Sequence, residues 1–212
     1  MTGAPDFASL IVRLETVLAG TLPGVDAQIT MAPRPRPDWE PGRFPEGTRD
    51  GAGLLLLYPV EAVPWMVLTL RSRDLPTHRG QVSLPGGMVQ ADETLEEAAR
   101  REAHEETNVD PRAVRILGTL TPVHIPVSGL VLHPFVGAAG SRPDLHAADG
   151  EVERILEVPL AHLLDETRAE EEPRTLAGAP RTIPFYRLGG EKVWGATAMV
   201  LAEFRELLVR RD

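Results

Sequence analysis

Three glutamates on the inner side of a helix constrain this chain more than any other feature. The run from Thr94 to Thr107 is built almost wholly of helix formers. Thr94 and Glu97 stand at the spacing of a capping box, which starts the helix at Thr94. Counting about 100° per residue from Leu95, Ala98 and Ala99 fall at about 300° and about 40°. Glu102, Glu105 and Glu106 fall at about 340°, about 280° and about 20°. The three carboxylates therefore share the apolar stripe and not the opposite face. Like charges within one turn repel, and acid pairs one turn apart weaken a helix. A divalent cation, Mg²⁺ or Mn²⁺, would resolve the conflict, because both take carboxylate oxygens and keep positions for water and phosphate. The alternative is an ordinary solvated acidic face. It suits Glu96 and Glu97, and Glu97 can also pair with Arg101 one turn on. It suits the other three poorly. Geometry alone leaves both readings open.

The flanks of the helix add to this. Pro85-Gly86-Gly87 lets the backbone turn sharply and bring main-chain N–H groups close to a ligand. Asn108, followed by Pro111, is a stop signal, because Asn is the second choice after Gly for a left-handed C-terminal residue.

Elsewhere the pattern is that of one α/β domain spanning residues 1–212, with a mixed β-sheet covered by helices on both faces. Phe7, Leu10, Ile11, Leu14, Val17 and Leu18 predict an amphipathic helix over 5–20. Five prolines within 31–50 predict an extended surface connection. Apolar runs at 53–60 and 64–71 predict a hairpin, followed by a polar, glycine-containing loop over 72–92. Further strands are expected near 113–121, 129–137 and 182–188. A helix is expected from Pro159 and a last one over 194–210, with Met199, Val200, Phe204, Leu207 and Leu208 on one face. Residues 139–150 and 165–181, rich in Gly, Pro and acids, read as loops.

Composition excludes several classes of function. A formal charge of −9 argues against nucleic acid or an anionic membrane as a partner held by bulk attraction. An anionic substrate must then be held by local cations or a metal ion. There is no cysteine, hence no disulfide, thiolate metal site or cysteine nucleophile. The longest apolar run, from Leu54 to Val60, is far too short to span a bilayer. The N-terminus lacks a basic segment followed by an apolar stretch, so the expectation is a cytoplasmic protein. Oligomeric state is not legible, a homodimer being one option.

The stretch from Gly87 to Val109 resembles the Nudix box: a Gly, five residues, a Glu, seven residues, then Arg-Glu-apolar-x-Glu-Glu-x-Gly-apolar. Gly87, Glu93, Arg101, Glu102, Ala103, Glu105, Glu106 and Val109 match in register. Asn108 replaces the usual Gly. The resemblance implies a Nudix-type α/β/α sandwich that hydrolyses a nucleoside diphosphate linked to another group. It also implies that Glu102, Glu105 and Glu106 hold Mg²⁺ or Mn²⁺, and that Glu93 pairs with Arg101 to fix the helix against the loop. Glu105 or Glu106 is the first choice for the base that activates water, and Glu151, just before Val152, is the second.

A second block lies upstream, Leu68-Thr69-Leu70-Arg71-Ser72 through His78, Gly80-Gln81-Val82 and Pro85-Gly86-Gly87. It is similar to the signature of the coenzyme A pyrophosphatases within the Nudix family, with Leu84 where Phe is common. Trp194-Gly195-Ala196-Thr197-Ala198 is similar to the start of that subfamily's last helix. This resemblance implies a nucleotide substrate, coenzyme A or a derivative, cut to 4′-phosphopantetheine and adenosine 3′,5′-bisphosphate. Arg71, Arg73, Arg79 and His78 concentrate positive charge in an acidic chain, as a phosphate clamp would. Arg71, His78, Gly86 and Gly87 are the expected substrate contacts, while Arg73 and Arg79 read equally well as solvated loop residues. The alternatives are a Nudix pyrophosphohydrolase for ADP-ribose, NADH or nucleoside triphosphates, and a nucleotide sensor without turnover. His104, His124, His133, His146 and His162 have no ligand spacing.

Overall fold

The apolar run around Leu54–Tyr58 shows no alternation with polar residues, the pattern of a strand covered on both faces. It lies in β1 (Arg49–Val60). Leu54, Leu56 and Tyr58 join one buried cluster, while Leu55 and Leu57 join another on the opposite side. The structure, a computed structural model, describes residues 6–36, 40, 42–74, 79–148, 150–176 and 178–210. Glu61 and Ala62, both with positive φ, turn the chain into β2 (Val63–Arg71) and set Val60 opposite Val63. Two such residues in a two-residue loop match the right-handed twist of a hairpin.

Six more strands complete this sheet. They are β3 (Val82–Ser83), β4 (Gly86–Met88), β5 (Val114–Thr119), β6 (Val123–Ile125), β7 (Leu130–Ala139) and β8 (Val152–Pro159). The main order is β3-β2-β1-β7-β5, with β4 on β1, β6 on β7 and β8 on β2. β1 and β7 run parallel and every other pairing in the sheet is antiparallel, so the sheet is mixed.

Helices cover both faces. α1 (Phe7–Leu18), close to its expected span, buries Leu10, Ile11, Leu14 and Leu18 against the Leu55 side of the sheet. The short α2 (Gly24–Gln28) follows it. α3 (Leu95–Thr107) lays Ala98, Ala99 and Ala103 on Ala52, Leu54, Leu56 and Phe135. Its alanines let the helix backbone lie close to the strands, which brings its glutamates near β4. α4 (Leu160–Leu164) is a single turn after β8. The last helix, α5, covers Ala196–Val209 and shares the Leu55 side with α1. The result is the expected α/β/α sandwich. Among the described residues, no helix is long and apolar enough to cross a membrane.

Three parts of the chain differ from what the sequence predicts. Residues 165–181 are not a loop. They hold β9 (Ala169–Leu176) and the start of β10 (Ala179–Leu188), which pair with β11 (Glu191–Trp194) in a second, antiparallel sheet. β9 is mostly exposed and carries no apolar alternation. It pairs along its whole length with β10, and charge across the sheet adds to that ladder: Arg187 binds Glu170, Lys192 binds Glu172, and the guanidinium of Arg174 lies 5.3 Å from the Trp194 ring centre. β8 and the short β3 and β4 were also unforeseen. Within 31–50, Arg34 exchanges two backbone hydrogen bonds with Thr182 of β10, at 2.9 and 2.8 Å.

Candidate functional site

The acidic helix is held in register at both ends. The Thr94 hydroxyl accepts from the N–H of Glu97 at 3.2 Å, and the Glu97 carboxylate accepts from the N–H of Thr94 at 2.8 Å. Asn108 closes the other end at φ 62°, its N–H donating to the His104 carbonyl at 2.8 Å, so Asn does the work expected of Gly. Between these ends the carboxylates differ. Glu106 is 3% exposed, Glu102 18% and Glu105 50%. Glu105 thus sits on the rim, because at about 280° it is the glutamate furthest from the centre of the stripe.

Arg101 ties the helix to the loop before it. Its Nε and Nη2 donate to the two oxygens of Glu93 at 2.9 and 2.6 Å, and Nη2 also reaches the Met88 carbonyl at 3.2 Å. Nη1 donates to Glu102 at 2.8 Å and to Glu105 at 3.0 Å. These hydrogen bonds, helped by the N–H of Gln90, hold the Glu93 carboxyl down at about 2. Arg101 does not take Glu97, which the cap already uses. Its grip on Glu102 and Glu105 was missed in the sequence, although Glu105 lies four residues on, at the spacing of a helical ion pair.

β4 supplies the facing wall. A Cβ on Gly87 would lie 2.4 Å from the carboxyl carbon of Glu102, and one on Gly86 would lie 2.4 Å from the Ala52 carbonyl oxygen. The double glycine is what allows β1, β4 and α3 to approach so closely. The N–H of Gly86 donates to Glu106 at 3.3 Å. Burial pushes the Glu102 carboxyl up. Arg101 opposes that shift, and the charges of Glu105 and Glu151 add to it.

Arg71, at the end of β2, reaches the same place. Its Nη1 lies 3.5 Å from Glu106 and its Nη2 3.1 Å from Glu151. The upstream block and the acidic helix therefore meet at one point, with Glu151 beside them. Arg73 is exposed and lies 3.9 Å from Glu153, and Arg79 is also exposed. His78 lies outside the described residues. His133 pairs with Asp50 at 2.8 Å, and His104 shares a hydrogen with the Val109 carbonyl at 3.0 Å.

The donors suit a hard divalent cation: all are carboxylate oxygens, and the cradle beside Glu102 is one that a Cβ would fill. As they stand, no three acidic or histidine side chains among the described residues are placed to hold one metal ion together. The reason is visible in the pairing, since Arg101 draws Glu102 and Glu105 while Arg71 draws Glu106. A cation entering here would meet guanidinium groups already seated among these carboxylates.

The NUDIX domain family matches residues 47–178, a span that holds every candidate residue. The chain is 32% identical over 167 residues to the uncharacterized Nudix hydrolase NudL of Photorhabdus laumondii, covering 78% of this chain and 88% of that protein. It is 34% identical over 167 residues to the uncharacterized Nudix hydrolase NudL of Citrobacter koseri, covering 73% of this chain and 81% of the relative. Among solved structures, the fold is similar to that of the Nudix hydrolase RenU of M. smegmatis, with a TM-score of 0.52 at 17% identity over 78% of this chain and 89% of that one. By the extent of that domain match and by the two relatives, the chain belongs to the Nudix domain family.

Proposed function

We propose that this Nudix hydrolase is a coenzyme A diphosphatase, cutting the diphosphate of coenzyme A or its derivatives to 4′-phosphopantetheine and adenosine 3′,5′-bisphosphate. The observation that carries the reading is Arg71, the arginine of the coenzyme A-type block, lying against Glu106 and Glu151. Glu102, Glu105 and Glu106 would hold Mg²⁺ or Mn²⁺. When bound, such an ion neutralises the diphosphate and lowers the pKa of a bound water. Arg71 would face the diphosphate, with its planar fork suited to phosphate oxygens. Gly86 and Gly87 keep that wall free of side chains, and His78 would add a further contact. Glu105 or Glu106, or in second place Glu151, would take the proton from the attacking water as one P–O bond of the anhydride breaks. Arg101 and Glu93 would hold the helix in register without touching the substrate.

Product chromatography with Mg²⁺ or Mn²⁺ tests this, comparing coenzyme A, dephospho-coenzyme A, ADP-ribose and NADH at equal concentration. Coenzyme A should be cut to adenosine 3′,5′-bisphosphate well ahead of the others. A lead for ADP-ribose or NADH overturns the substrate. Glu106→Gln should lower turnover by about 100-fold or more while the protein stays folded. Near-native turnover in the folded variant removes Glu106 from the assigned role.

A further inference from the structure

The two arginines of the site hold their carboxylates differently. Arg101 grips Glu93 through two hydrogen bonds, at 2.6 and 2.9 Å. Arg71 stands 3.5 Å from Glu106, beyond the range of a charge-assisted hydrogen bond, about 2.7–2.9 Å. That contact is one of charge more than of a locked bond, and it can be exchanged.

Local structure keeps Arg71 in place. The register between β2 and β8 shifts between Leu70 and Arg71. Leu70 stands opposite Arg154 and Arg71 opposite Val152, so Glu153 is an extra residue of β8, and such a bulge bends β8 and re-aims its start, next to Glu151. The Arg71 N–H donates to the Gln81 carbonyl at 2.9 Å, and its carbonyl accepts from the N–H of Gly80 at 3.1 Å. The next N–H, of Ser72, donates to the Glu151 carbonyl at 2.7 Å. Backbone hydrogen bonds thus fix the root of the side chain and its acidic neighbour together. The Arg71 Nε is buried without a hydrogen-bond partner among the described residues, so part of its donor capacity is unused in this position. Glu106, almost fully buried, needs a positive charge beside it. A guanidinium and a divalent cation cannot both occupy the side of Glu106 that Arg71 faces.

We propose that Arg71 is a built-in counter-ion that competes with the divalent cation for Glu106. It gives up Glu106 when the cation takes that carboxylate and swings toward an anionic group of the substrate. The inference rests on the metal role assigned to Glu106 above. Coupling of this kind is reciprocal: whatever Arg71 gains from Glu106 is subtracted from cation affinity.

Calorimetric titration of Mn²⁺ into the chelator-treated full chain, with no substrate present, reads this directly. Arg71→Gln should bind Mn²⁺ more tightly than the native chain, by about 5-fold. Arg71→Lys, the milder change, keeps the charge but engages one carboxylate at a time, and should fall between the two. The rise in Tm on adding Mn²⁺ should follow the same order. If Glu106→Gln abolishes Mn²⁺ binding while Arg71→Gln and Arg71→Lys bind no tighter than the native chain, the counter-ion role is overturned and the metal reading stands. If the native chain binds no Mn²⁺, or Glu106→Gln binds it as well as the native chain, the metal role of Glu106 fails and the inference falls with it.

Discussion

Glu106 and Glu203 are both buried carboxylates on helices, one on each side of the main sheet, and the protein treats them in opposite ways. Glu203, in α5, is fully enclosed and is met by neutral donors. Thr121 donates through its N–H at 3.1 Å and its hydroxyl at 2.7 Å, Gln28 through Nε2 at 2.8 Å, and Gly24 through its N–H at 3.2 Å. That set joins α2, the β5–β6 connection and α5 with its lone pairs well used. Among the described residues, the contacts of Glu106 include a guanidinium at 3.5 Å and a backbone N–H at 3.3 Å. A full set of neutral donors makes a joint. A guanidinium beside a buried carboxylate makes a place where one cation can replace another.

The comparison breaks most visibly at Glu203. Glu203→Ala strands several buried donors and should cost about 3 kcal/mol of stability, read as a lower denaturant midpoint. Glu106→Gln should change stability far less. Equal losses from the two would erase the distinction between joint and site.

The paired glycines sharpen it next. A Cβ on Gly86 meets backbone, the Ala52 carbonyl at 2.4 Å and the Gly53 Cα at 2.6 Å, so Gly86→Ala should destabilise by about 2 kcal/mol. A Cβ on Gly87 meets the movable end of Glu102 at 2.4 Å. Gly87→Ala should therefore leave the midpoint nearly unchanged and lower turnover instead. A Gly87→Ala protein with native turnover would show that the Glu102 carboxylate need not sit where it does.

The smallest effect is expected at Glu93, an ionic joint at the border of the site. Its carboxyl is held down from 4.5 to about 2, so its folded form is the one that favours ionisation. A depressed carboxylate adds stability above its unfolded value and loses it as pH falls through its folded value. The stability gap between the native chain and Glu93→Gln should thus be flat above pH 4.5 and close as pH drops toward about 2. A gap unchanged down to pH 2 would remove the Arg101 pairing as its source.

Much of this was legible in the sequence because it depends on local rules. The cap at Thr94, the left-handed Asn108 and the alanine stripe of α3 follow from spacing along one helix, and the β1–β2 hairpin follows from two apolar runs. The pairing of Glu93 with Arg101 came through the resemblance to the Nudix box and stands in the structure. The second sheet was not legible. β9 reads Ala-Glu-Glu-Glu-Pro-Arg-Thr-Leu, and this charged run becomes a strand beside β10, where Arg187 of β10 and Lys192 and Trp194 of β11 come within reach of its side chains.

Sequence alone determined that one helix carries Glu102, Glu105 and Glu106 close to an apolar seam, and that a double glycine precedes it. Tertiary structure decided which of the three is buried, which guanidinium faces each, and that Glu106 of α3 and Glu151, just before β8, meet the same guanidinium, that of Arg71 at the end of β2. The physical reason is range. Helix periodicity and capping act over a few residues, whereas the partners of a charge are chosen by strand register and by an irregularity between Leu70 and Arg71, which no local pattern announces.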